Sequence, residues 1–240
     1  MPSSQDVLEE YARLLLQLDL LIRRGDGDSD AADALRDEMD APWDRLSPLE
    51  IARVRGLSAD LYALKDDRRP PAAVSPNEGL AARLREAESK GDWDGALALV
   101  RQDASVLPPQ QVAFFKGVYW AHLGGPAVAL PFLEHAVRTE PRALPIFLLT
   151  LARLGMLEEV ARLVIALATS DEPEVKIPES VVKGSRECLR LREKLRELER
   201  ESQSPGPDAA ARSTLNPREI EAELQALQSR MAMELERSAA

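Results

Sequence analysis

Gln110 to Pro141 reads QQVAFFKGVYWAHLGGPAVALPFLEHAVRTEP: two apolar runs of helical length that meet at Gly124-Gly125-Pro126. The spacing inside this stretch recurs on both sides of it. Gly91 and Ala96, Gly124 and Ala129, and Gly155 and Val160 each pair a turn glycine with a small or medium apolar residue five positions on. An apolar residue follows four later, at Val100, Leu133 and Val164, and the corresponding glycines lie 33 and 31 positions apart. A recurrence of this length marks an array of helical hairpins. Such units cannot bury their apolar faces alone, so neighbours stack, and the stack leaves a groove suited to holding another polypeptide.

The composition points the same way. Aromatic residues make up 4% of the 240, and period-two runs of Val, Ile and Thr are missing, so an all-α protein is expected. The formal net charge of -10 repels phosphate backbones and anionic headgroups, which argues against nucleic-acid and membrane partners. The imbalance is local: Met1 to Asp67 holds 16 acidic and 8 basic residues, so a charged partner meeting this part is expected to be basic. The start MPSSQDVLEE lacks a basic n-region, no apolar run reaches the roughly 20 residues of a membrane span, and Cys188 is the single cysteine. A cytoplasmic protein without disulfides is expected.

Outward from the repeats, the chain divides as follows. Residues 1–66 form an acidic helical unit. In it, Val7, Tyr11, Leu14, Leu15, Leu18, Leu21 and Ile22 share a face of a helix from Ser4 to Arg24, ended by Gly25 and Gly27. A short helix follows Asp30 and reaches Met39. Ser47-Pro48-Leu49-Glu50 combines a capping serine, a first-turn proline and a glutamate able to reach back, with Leu46 and Ile51 placed as a staple, so Pro48 to Leu64 is read as helix. Residues 67–75, within DDRRPPAAVS, read as a linker, and Ser75-Pro76-Asn77-Glu78 repeats the helix-start signal. Residues 76–173 hold three repeats. Residues 174–201 form a charged amphipathic helix with Cys188, Leu191, Leu195 and Leu198 as a narrow seam. Residues 202–215 are a flexible linker, and 216–240 a last amphipathic helix with Ile220, Leu224, Leu227 and Met231 as its seam. These two seams either fold back as caps or dimerise.

The central region resembles the tetratricopeptide repeat family. Gly117 and Trp120 stand where the first helix of that motif carries small and aromatic residues, while Ala129, Leu133 and Ala136 match its second helix and Pro141 its closing proline. The flanking copies keep Gly91, Ala96, Val100 and Pro108, and Gly155 and Val164, but Val160 and Leu167 fill slots that want small residues. In that family the first helix of each repeat lines the concave face. The resemblance therefore implies a partner-binding groove lined by Arg85, Ser89, Gln111, Phe114, Val118, His122, Arg142, Leu149 and Arg153, an apolar floor with basic flanks. The lysines and asparagines with which some members clamp a carboxyl terminus are missing from this face. Phe114 is either this floor or inter-repeat core, since a one-residue change of register swaps the faces. Pro131 either kinks the second helix of its repeat or begins it.

Other constellations have ordinary explanations. Asp26, Asp28, Asp30 and Asp37 resemble a calcium loop, but Ala31 replaces the turn glycine, and a capped helix start accounts for each of them. His122 and His135 lack a third ligand at helical spacing, and Ser58, Ser105 and Cys188 lie in no nucleophile motif. Trp43 and Trp93 read as packing anchors. The sequence thus implies no metal, no cofactor and no catalysis. Two functions remain: a non-catalytic adaptor that binds a peptide or helix of a partner protein in the groove, or a self-associating structural subunit whose groove is filled by its own C-terminal helix.

Overall fold

The computed structural model describes residues 4–64, 78–169, 177–203 and 216–239, and among these the chain is all-helical, without strands. It divides into two compact units, Met1–Ala143 and Leu144–Ala240. This division falls inside the region read as three repeats, between the second and the third.

The first unit opens with α1 (Ser4–Arg24), α2 (Asp30–Trp43) and α3 (Pro48–Ala63). Helix α2 runs four residues past the expected end at Met39, through Pro42 to Trp43, whose ring packs on Tyr11 of α1 at 5.5 Å. Ser29 caps it, with Asp30 and Asp33 in the first turn where the backbone N–H groups favour negative charge. At α3 the expected capping box forms. The Ser47 backbone N–H donates to Glu50 Oε2 at 2.7 Å, and the Glu50 N–H donates to Ser47 Oγ at 3.4 Å. Leu46 is buried and Ile51 packs against the same cluster, as a staple requires.

Two hairpins follow: α4 (Glu78–Lys90) with α5 (Trp93–Gln102), and α6 (Pro109–Leu123) with α7 (Gly125–Ala136). Their turns need a left-handed residue, which glycine supplies without a Cβ clash. Gly91 has φ +67°. In the second hairpin the left-handed residue is Gly125 at φ +80°, not Gly124, which corrects the spacing by one position. Helix α7 begins at Gly125 and continues through Pro131, so the alternative start at Pro131 does not occur. Ala96, Val100, Ala129, Leu133 and Ala136 are all fully buried, as close helix crossing demands.

The expected linker at 67–75 and the start signal at Ser75 lie outside the described residues. The helices on either side of it do not form separate cores. Ala12 of α1 and Leu57 and Leu61 of α3 share one cluster with Leu80, Leu84, Leu97, Val100, Trp120 and Phe132. A charged cluster fastens the same helices. The Asp60 carboxylate on α3, whose side chain is 3% exposed, accepts from Lys116 Nζ at 2.8 Å, from Arg101 Nη2 at 2.7 Å and from Trp120 Nε1 at 3.0 Å. One buried anion with two cations and an indole donor leaves few lone pairs unused, the condition for a buried charge to persist. Arg53 and Asp94 add a second tie between α3 and α5, at 2.7 Å.

The second unit holds α8 (Ala143–Arg153), α9 (Leu157–Ala168), α10 (Glu179–Gln203) and α11 (Pro217–Ala239). Gly155 makes the α8–α9 turn at φ +77°. Here the hairpin pattern changes, because α9 lies closest to α10 and not to α8. Val160, Ala161 and Val164 of α9 are fully buried in this arrangement. On α10 the seam Cys188, Leu191 and Leu195, extended back to Val181, is buried, whereas Leu198 at its end is only partly covered. The α9 side is met at Cys188, whose Sγ lies 3.8 Å from the Leu157 carbonyl, and Arg196 pairs with Glu158 at 2.7 Å. On α11 the seam Ile220, Leu224, Leu227 and Met231, continued to Leu235, is buried as well. Asn216 Oδ1 accepts from the Arg218 N–H at 3.1 Å and caps the helix start. The expected linker at 202–215 lies outside the described residues apart from Ser202 and Gln203, which end α10. Among the described residues no helix is long and apolar enough to cross a membrane.

Candidate functional site

The residues expected to line a groove fall into different surroundings. On α4, Arg85 and Ser89 are exposed and bond only to their own helix, Arg85 Nε donating to the Ala81 carbonyl at 3.3 Å and Ser89 Oγ to the Glu86 carbonyl at 2.8 Å. On α6, Phe114 is 9% exposed, with Phe115 at 5.6 Å and the Arg142 guanidinium over its ring at 5.4 Å. Phe114 is thus buried beneath Arg142. Val118 is partly buried against the main cluster, and the Gln111 side-chain oxygen is buried without a hydrogen-bond partner. His122 stacks on Trp93 at 3.9 Å with the rings 4° from parallel, which confirms Trp93 as a packing anchor. Arg142 also pairs with Glu140 at 2.8 Å, and its hydrogen bond holds that carboxyl below the usual range. In the second unit Leu149 is buried and Arg153 pairs with Glu236 of α11.

Helix α11 meets α8 at a few points. Gln228 Nε2 donates to the Ala152 carbonyl at 2.9 Å, and Leu235 shares a small apolar recess with Leu144, Pro145 and Leu148. Within the second unit, α10 packs on α9 and on α11.

What stays open is a cleft of about 600 Å³ between α10 and α11. Its α10 wall is the stripe Ser180, Lys183, Gly184, Glu187 and Arg190, with Arg186 beside it, a face turned away from the seam that meets α9. Its α11 wall is Leu227, Arg230, Met231, Met233 and Glu234. Gly184 lets the helices meet closely at one point: a Cβ there would lie 3.1 Å from Met231 Cγ and 3.2 Å from its Sδ. Leu227 and Met231 are buried beneath, while Met233 stands 51% exposed at the mouth. The acids of the rim are already engaged. Glu187 pairs with Arg190 at 2.6 Å, and Glu234 accepts from Arg237 at 2.8 Å and from Ser180 Oγ at 3.2 Å. Among the described residues Lys183, Arg186 and Arg230 make no ion pair.

Sequence reasoning did not find this cleft, although the i, i+3, i+7 spacing of Lys183, Arg186 and Arg190 beside a glycine in a charged helix carried a trace of it. Cys188 on the other side of α10 is fully buried, and burial pushes its thiol up to about 11, so it is neither a thiolate at neutral pH nor accessible. Comparison with family models, curated proteins and solved structures finds no match to this chain.

Proposed function

We propose that the protein is a non-catalytic adaptor that holds a helical segment of a partner protein, and that the segment docks between α10 and α11. The observation that carries this reading is the cleft itself: a trough walled by two helices, with a Leu and Met floor and a half-exposed methionine at its mouth. Exposed apolar surface in an otherwise charged hairpin has a solvation cost that a ligand removes. A groove between two helices accepts a third helix through apolar side chains at i, i+3 and i+7, and methionine adapts its shape to them. The resemblance of 76–173 to tetratricopeptide repeats supports the same functional class. In that reading α4 to α7 are two repeat-like hairpins, and α8 and α9 are a third that has recruited α10. The lone cysteine supports a cytoplasmic setting.

The second reading, a self-associating subunit whose groove holds its own C-terminal helix, is favoured by the α11 contacts on α8 at Ala152, Arg153 and Leu235. One experiment addresses both. A photo-crosslinking residue at Met233, introduced in the native cell, is expected to give one discrete heterologous adduct, and the same residue at Ala222, exposed elsewhere on α11, none. An adduct of twice the chain mass supports self-association, and no adduct at Met233 refutes the cleft as a docking site.

A further inference from the structure

Resting on the reading of the α10–α11 cleft as a docking site, we infer that its occupant is an amphipathic helix of a partner protein whose apolar stripe is flanked by carboxylates. Several arginines of this acidic chain reach a carboxylate, among them Arg53, Arg101, Arg142, Arg153 and Arg196. At the cleft the cations outnumber the acids that line it. Glu187 and Glu234 are used by Arg190 and Arg237, which leaves Lys183 and Arg186 on one wall and Arg230 on the other without an ion-pair partner among the described residues.

Cations on both sides of an apolar floor select a helix with acids on both sides of its apolar stripe. A basic flank is repelled, and a neutral one gains the floor alone. The dimensions set the contact. Lys183 to Arg190 spans seven positions, roughly 10 Å of helix, so about two turns of the ligand are engaged. The apolar surface is recessed between two helices and only Met233 stands at its mouth. Such a recess suits side chains presented by a helix better than a lipid surface, and the net charge of -10 opposes an anionic bilayer.

The test uses the full chain and three fluorescent synthetic peptides of about four turns, with the same Leu and Met stripe flanked by Glu, Gln or Lys. Anisotropy titrations are expected to show the Glu peptide binding most tightly, about tenfold tighter than the Lys peptide, and weakening as salt rises from about 0.05 to 0.5 M. Lys183→Glu with Arg230→Glu is expected to invert the preference. Both side chains are exposed, so circular dichroism should be unchanged; were the pair to disturb folding, Arg186→Glu alone reads the same preference. Equal binding of the Gln peptide, or tighter binding of the Lys peptide, overturns the acidic partner and leaves the cleft reading standing. If no peptide binds while vesicles of phosphatidylserine do, or while sedimentation shows a dimer that Arg230→Glu dissociates, the occupant is a membrane or a second copy and the inference fails. No binding of any probe, together with no crosslink at Met233, removes the docking site itself.

Discussion

Replacing Asp60 with asparagine keeps the volume of the side chain and removes its charge. In the wild-type protein that carboxylate is the shared partner of Lys116, Arg101 and Trp120. The Lys116 side chain is 7% exposed, so the substitution strands an ammonium in the interior and turns an amide donor toward other donors. Removing one partner of a buried ion pair costs about 3 to 5 kcal/mol. The Arg101 share is smaller, because its side chain is one-third exposed and water screens it. Asp60→Asn is therefore expected to destabilise the first unit by about 3 kcal/mol, a large part of the 5 to 15 typical of a domain. Urea unfolding followed by tryptophan fluorescence reads this unit selectively, since Trp43, Trp93 and Trp120 all lie within it. Adding Lys116→Met removes the stranded charge and should restore stability to within about 1 kcal/mol of the wild type, as apolar replacement of buried pairs often does. A loss below about 1 kcal/mol in the single variant, or a double variant no better than the single, refutes the account of Asp60 as the anion that makes Lys116 tolerable.

At Gly117 an added Cβ would lie 2.7 Å from two Leu133 side-chain carbons and 3.3 Å from the Leu133 nitrogen, so overpacking outweighs the roughly 1 kcal/mol gained in helix propensity. Gly117→Leu should lower the melting temperature of the first unit clearly, and an unchanged one would remove the α6–α7 register. Ser47→Ala deletes the cap of α3 and should cost about 1 kcal/mol by chemical denaturation; no change would mean that the Glu50 side chain suffices. Cys188 should resist thiol reagents at pH 8 until the second unit unfolds, and labelling at the rate of a free thiol would contradict its burial. Because its folded pKa lies above the unfolded value of 9.0, the stability it contributes is complete below pH 9 and is lost as pH rises toward about 11, by at most about 3 kcal/mol. A Cys188→Ala variant should show a smaller alkaline loss in circular-dichroism melts.

Much of the secondary structure was legible in the residues. Gly25, Gly91 and Gly155 end their helices where a left-handed residue is needed, Ser47 with Glu50 signs the start of α3, and the seams of α10 and α11 sit at their expected positions. These are local facts, set by backbone conformation, by hydrogen bonds within a few residues and by helical period. The partner of each face was not legible. Period groups Cys188 with Leu191 and Leu195, but whether that seam meets another chain or α9 depends on long-range packing. The groove residues show the same limit, for Phe114 shares a face with Val118 on paper yet lies under Arg142 in the fold. Charge shows the same limit: the acidic excess of Met1 to Asp67 is plain in the sequence, while the grouping of Lys183, Arg186 and Arg230 around one cleft is not. Sequence by itself determined where this protein is helical and which residues share a face. Tertiary structure alone decided which faces meet and which stay open, because the cleft exists only where Gly184 and Met231 bring α10 and α11 together and place Lys183, Arg186 and Arg230 around it.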